Sequence, residues 1–203
     1  MRHPHFRTNA LGAALLGLGL AFSASAQTTP STPVSPKQGA ATGSMTVTSK
    51  ASTDKLAGAD KSFAEKAAIG GLAEVQLGNM AQQKAASDQV KQFAARMVTD
   101  HSKANDELKQ IASTKGMQLP SAPDDKHKKD MDRLQKMSGA AFDKAYMSHM
   151  VDDHKHDVAE FKKQAGSGND ADLKAFASKT LPTLEEHLQL AQTTNDAVKK
   201  GTK

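Results

Sequence analysis

Two pentads of one pattern, Met97-Val98-Thr99-Asp100-His101 and Met150-Val151-Asp152-Asp153-His154, each set a thioether four residues before an imidazole. On a helix that spacing puts both groups on one face, a turn apart. A further histidine, His187, and a glutamate, Glu74, fall on apolar stripes of their own. At about 100° per residue, Glu74 projects within roughly 20° of Phe63, and His187 within roughly 20° of Phe176. Inward polar groups of these types allow two chemistries. Neutral imidazoles from His101, His154 and His187 with the carboxylate of Glu74 suit a single zinc, iron or copper ion. Met97 and Met150 would add soft sulfur that favours copper(I), and Asp153 an accessory carboxylate. The same groups can instead satisfy one another as a buried polar network that fixes helix register. Under either reading, an ionised carboxylate on an apolar stripe requires a partner.

Other chemistries lack their residues. The chain has no cysteine, so thiol catalysis and disulfides are both excluded. It has no G-x-S-x-G elbow, no phosphate-binding glycine loop and no H-E-x-x-H. Lys and Arg number 27 against 22 Asp and Glu, a formal net charge of +5 carried by scattered lysines, with no tryptophan and one tyrosine. That composition argues against nucleic acid as a partner. Association with an acidic envelope or cell-wall surface stays open.

The elements that must position these groups are helices. Arg2 and Arg7, the apolar run from Leu11 to Phe22 and Ala24-Ser25-Ala26 predict an export signal over residues 1–26, and hence a periplasmic or outer-membrane-associated protein. Residues 27–57 are rich in Thr, Ser, Pro and Ala and read as a disordered linker. The domain is expected over residues 58–200, with no segment after the leader apolar enough to span a membrane.

The first helix is predicted from Asp60 or Ser62, with Ser62 and Glu65 as a capping box and Gly70-Gly71 as a point of close approach. The second starts at Ser87 or Asp88 and ends near Gly116. Its inner face carries Val90, Ala94, Met97, His101, Leu108 and Ala112, and Asp100 lies about 100° away at the rim. A short solvated helix covers the charged stretch from Asp124 to Lys136, where His127 reads as exposed and without a role. The third long helix follows Ser138-Gly139 and carries Phe142, Tyr146, Met147, Met150, His154, Val158 and Phe161 inward. Asn169 or Asp170 caps the last, whose inner face runs through Leu173, Phe176, Thr180, Leu184, His187, Ala191 and Val198, and which Pro182 should interrupt. Strand signals are missing.

Two long helices, a long crossover and two more long helices form a duplicated hairpin. Phe63 to Glu74 pairs with Phe142 to Asp153, and Val90-Lys91-Gln92-Phe93-Ala94 with Leu173-Lys174-Ala175-Phe176-Ala177. The predicted fold is all-α: an antiparallel four-helix bundle of ferritin-like topology, with one long crossover carrying a short extra helix. From Asp60 to Val198 the chain resembles an exported bacterial family of unknown function, classed as ferritin-like and often labelled as outer membrane proteins. The resemblance rests on D-x-x-F at Asp60 to Phe63, Glu74, V-K-x-F-A at Val90 to Ala94, M-V-x-D-H ending at His101 and His154, F-D-x-x-Y at Phe142 to Tyr146, and L-P-x-L-E-x-H at Leu181 to His187. It implies location and fold but no activity. Ferritin-like two-iron centres take Glu-x-x-His from two of their helices, whereas Val98 and Leu184 stand three residues before His101 and His187 here.

Overall fold

Residues 56–201 are those the computed structural model describes; the expected leader and nearly all of the expected linker lie outside them. All regular structure in that range is helical: α1 (Gly58–Lys84), α2 (Asp88–Thr114), α3 (Asp125–Gln135), α4 (Gly139–Ser167) and α5 (Ala171–Lys199). No strand occurs among the described residues, and none of their helices is long and apolar enough to cross a membrane. Helices α1 and α2 pack along each other as one hairpin, α4 and α5 as a second. The hairpins meet through α1 against α4 and α2 against α5, and α3 lies on α1 and α4.

Buried carboxylates fasten each hairpin to the other. Asp60, 1% exposed at the start of α1, accepts from the backbone N–H of Asn169 and of Asp170, both at 3.1 Å, and from Gln164 Nε2 at 2.8 Å. Asp143, 3% exposed at the start of α4, accepts from the N–H of Ala86 at 3.1 Å and of Ser87 at 2.9 Å. Each carboxylate therefore closes the turn of the opposite hairpin at the N-terminal, partly positive end of α5 or α2. This replaces the expected capping box. Helix α1 starts at Gly58 without a side-chain cap, which places Ser62 and Glu65 inside it.

These two clasps set the register of the repeat. Asp60, Phe63, Glu74, Val90, Phe93 and Ala94 correspond, at one constant spacing, to Asp143, Tyr146, Asp157, Leu173, Phe176 and Ala177. The counterpart of Glu74 is thus Asp157, one turn beyond the Asp153 that alignment on Phe142 suggests. A four-residue slip keeps a helix on nearly the same face, which is why the apolar pattern tolerates either register.

Two apolar clusters occupy the two ends of the helices. Phe63, Phe161 and Phe176 gather with Leu108, Leu173 and Leu184, their rings edge-on or tilted at centroid distances of 5.0 to 6.5 Å. At the other end Leu77, Phe93, Met97, Tyr146, Met147 and Met150 pack together, with Leu134 of α3 fully buried among them. Each large apolar side chain so buried contributes about 1.5–3 kcal/mol, so the clusters drive association of the helices. The layer between them holds Glu74, His101, His154 and His187.

Gly71 is a point of close approach, as expected, though to the Asn105 side chain of α2, and the approach to the α2 backbone comes at Gly78. A Cβ built there would lie 2.9 Å from the Ala94 carbonyl and 2.8 Å from Val98 Cγ2, so α1 and α2 can touch only where residue 78 lacks a side chain. Helix α2 ends at Gly116, whose φ of 61° lets the Met117 N–H return to the Ala112 carbonyl at 2.9 Å. Pro182 does not break α5. One missing donor costs less than the anchorage of Phe176 and Ala177 before it and Leu184 and His187 after it, all buried.

Candidate functional site

The stripes deliver all of the expected inward groups to one place. His154 and His187 are 0% exposed, Glu74 1% and His101 6%. Glu74 Oε2 lies 2.8 Å from His101 Nδ1, and Oε1 lies 3.4 Å from His154 Nε2. The three imidazoles form a near-equilateral triangle, with centroid separations of 5.7, 5.3 and 5.4 Å. One ring nitrogen of each falls within 4.8 Å of one from each of the others.

Each imidazole has one nitrogen engaged and one free. His101 Nδ1–H donates to Glu74, His154 Nδ1–H donates to the Met150 carbonyl at 2.9 Å, and His187 Nε2–H donates to Asp100 Oδ2 at 2.8 Å. A carbonyl or an ionised carboxylate only accepts, so each of these contacts fixes where the ring proton sits. The other nitrogens, His101 Nε2, His154 Nε2 and His187 Nδ1, are buried without a hydrogen-bond partner among the described residues, as is Glu74 Oε1. The 3.4 Å between His154 Nε2 and Glu74 Oε1 is close enough for charge attraction but leaves both atoms without a hydrogen bond. In neutral His154 that nitrogen carries a lone pair, so it and an anionic oxygen face each other with nothing positive between them.

Protonation follows from burial and charge. Burial alone would raise the Glu74 carboxyl, but the facing imidazoles, His101 first, overcome it and hold Glu74 at about 2. Burial also disfavours charge on His101, and the adjacent Glu74 outweighs it, lifting His101 above the ordinary imidazole value. His187 goes the other way. Burial, with the charges of His101 and His154, depresses it to about 4 in spite of Asp100. At neutral pH Glu74 is therefore an anion and His187 a neutral donor of its Nδ1 lone pair.

Some contributing residues were not legible as such. Asp100, expected at the rim without consequence, is the anchor of His187. It is itself gripped by Arg96 at 3.2 Å, which also pairs with Glu186 at 2.6 Å. The signal available was the Asp-His step repeated in both pentads. Asp157 was missed altogether: its carboxylate and those of Asp153 and Glu74 approach within 4.8 Å of one another. Burial and the charge of Glu74 raise both aspartic acids, Asp157 well above the usual carboxylate range. Met97 and Met150 are fully buried in the apolar cluster beside the layer, and the Met150 carbonyl orients His154.

Residues 45–194 match the family model described as Domain of unknown function (DUF4142). The chain belongs to that family. No curated protein and no solved structure matches it. The match takes in the whole of α1 to α4 and α5 as far as Thr194, so the four inward residues and both clasps belong to this DUF4142 domain.

Proposed function

We propose that this protein binds one transition-metal ion through His101, His154 and His187, with Glu74 alongside. The observation that carries this is the set of three buried, unpartnered ring nitrogens whose opposite N–H groups are already committed to acceptors. Metal-binding histidines are oriented in this way, the second nitrogen donating to a carboxylate or backbone carbonyl. The ring spacing also suits it. Imidazoles bound at about 2.1 Å to one tetrahedral ion have centroids roughly 5 Å apart, against 5.3 to 5.7 Å here. An all-nitrogen set with one carboxylate suits zinc, copper or iron, and Met97 or Met150 would tilt the choice to copper(I) were a sulfur to join it. A two-iron centre does not fit: Val98 and Leu184 occupy the positions of its glutamates, and Leu184 belongs to an apolar cluster.

The fold that carries this site is read as a ferritin-like four-helix bundle of α1, α2, α4 and α5, with α3 in the crossover. The Arg2-to-Ala26 pattern supports an exported domain over residues 58–200, tethered by residues 27–57 in the periplasm or at the outer membrane. A second reading has its own observation. The 2.8 Å contact between His101 and Glu74 is a complete ion pair without any metal, and a network built on it would fix helix register. Thermal melting separates the two. Added zinc should raise the melting temperature of the wild type through the linkage of binding to folding, and His101→Leu, His154→Leu and His187→Leu should each abolish the gain. A melting curve that no divalent ion or copper(I) moves would leave only the polar network.

A further inference from the structure

The three histidines lie at most 6% exposed between four packed helices, so an ion bound by them needs a way in. A cleft of about 390 Å³ opens between α1, α3 and α4, and Asp153 and Asp157 line its floor. Their carboxylate oxygens lie within 4.8 Å of one of Glu74, which in turn touches His101 and His154. Solvent, aspartates, glutamate and imidazoles are therefore in sequence, with Asp153 Oδ2 and Glu74 Oε1 buried and unpartnered along the way.

Charge favours one class of ligand. The cleft walls add Asp124, Asp152 and Glu160 to the two floor aspartates, against Lys66 and Lys126. Lys66 is held by Glu160 at 3.3 Å. Gly70 is one of the residues lining the cleft from α1. A Cβ built at Gly70 would find only Asp157 Oδ1 within 4 Å, at 3.9 Å, so the surface of α1 is bare just above the floor. A second cleft, between α1, α2 and the segment after α2, is walled by Leu72, Met117 and Leu119 and offers one carboxylate, Asp106, alongside Lys109. It has neither the charge nor the connection.

We propose that the cleft between α1, α3 and α4 is the route by which a hydrated divalent cation reaches the histidines, Asp157 and Asp153 receiving it before Glu74 draws it inward. This rests on the metal reading above. Carboxyl oxygens bind a divalent cation while it keeps part of its water, and the negative charge of Asp124, Asp152 and Glu160 raises its local concentration at the cleft. Imidazole nitrogen then holds a transition ion more selectively.

Stopped-flow uptake of cobalt(II) by the full chain, followed by its visible absorption, tests the route. Gly70→Leu places a side chain over the floor in a helix that it otherwise favours. Uptake and chelator-driven release should slow by the same factor, leaving Kd unchanged. Asp157→Asn removes a carboxyl ligand from the route and should slow uptake roughly tenfold. A Gly70→Leu protein that loads at the wild-type rate overturns the route while leaving the metal site intact, and so does a wild-type uptake rate in Asp157→Asn. Should Gly70→Leu fail to fold by circular dichroism, the Asp157→Asn rates decide alone. A wild type that takes up no cobalt removes the metal site and the route together.

Discussion

The carboxylates of Asp60, Asp143 and Glu74 are equally hidden, at 1%, 3% and 1% exposure, but they are not equally complete. Asp60 and Asp143 spend both oxygens on donors supplied by the opposite hairpin. Glu74 keeps one oxygen without a hydrogen bond, and so do the free nitrogens of the three imidazoles around it. A buried polar group left unsatisfied costs about 1–3 kcal/mol, and the fold bears several at one point. The clasps are what a structural polar group looks like when folding alone shapes it. The layer between the apolar clusters has lone pairs left for something that folding does not supply.

That contrast makes the clasps the most sensitive part of the molecule. Asp60→Ala strands three donors at the α4–α5 turn and should cost about 3–5 kcal/mol in urea unfolding, by the same amount with and without zinc. A loss below about 1 kcal/mol would show that water completes the turn as well as the carboxylate does.

Acid should act next, and on the central layer. His187 has a folded value of about 4, below the ordinary imidazole value of 6.5. The unfolded chain therefore takes up its proton first, and stability falls as pH drops from about 6.5 to 4, by up to about 3 kcal/mol. Glu74, held at about 2 against 4.5, adds a further loss below pH 4.5. His101, raised by Glu74, acts oppositely: its contribution is complete below 6.5 and fades as pH rises through its folded value. Metal-free protein should thus be most stable near pH 6 to 7. His187→Leu should flatten the 6.5 to 4 window, and an unchanged acid limb in that variant would remove His187 as the cause.

His101→Leu leaves the Glu74 carboxylate buried without its 2.8 Å partner. It should cost about 2–3 kcal/mol in metal-free protein, and Glu74→Gln in the same molecule should recover part of that. His154→Leu should do least, within about 1 kcal/mol of the wild type, since it removes one nitrogen that already lacks a partner and a single hydrogen bond to the Met150 carbonyl. Finding His154→Leu as damaging as Asp60→Ala would place the layer with the clasps.

Helical spacing was enough to bring Glu74, His101, His154 and His187 together, because each lies on an apolar stripe whose direction the period fixes. It could not show Asp100 bound to His187. That contact depends on how α5 sits against α2, and Asp100 lies off the stripe of its own helix. Asp157 escaped for a related reason: residues 153 and 157 share a face, and only the Asp60 and Asp143 clasps fix which one answers Glu74. Asp60 looked like the start of a helix when it is the closure of a distant turn, a role that no local pattern encodes. Pro182 stays inside α5 because packing on either side of it outweighs its propensity, and that packing is not written in the local sequence.

Metal content measured by mass spectrometry on untagged protein purified from its native host, without chelator, tests the central claim most directly. One transition-metal ion per chain is expected, absent from His154→Leu protein that is folded and within about 1 kcal/mol of the wild type without metal. Folded wild-type protein with no stoichiometric metal, or metal that survives loss of His101, His154 and His187 together, would contradict it.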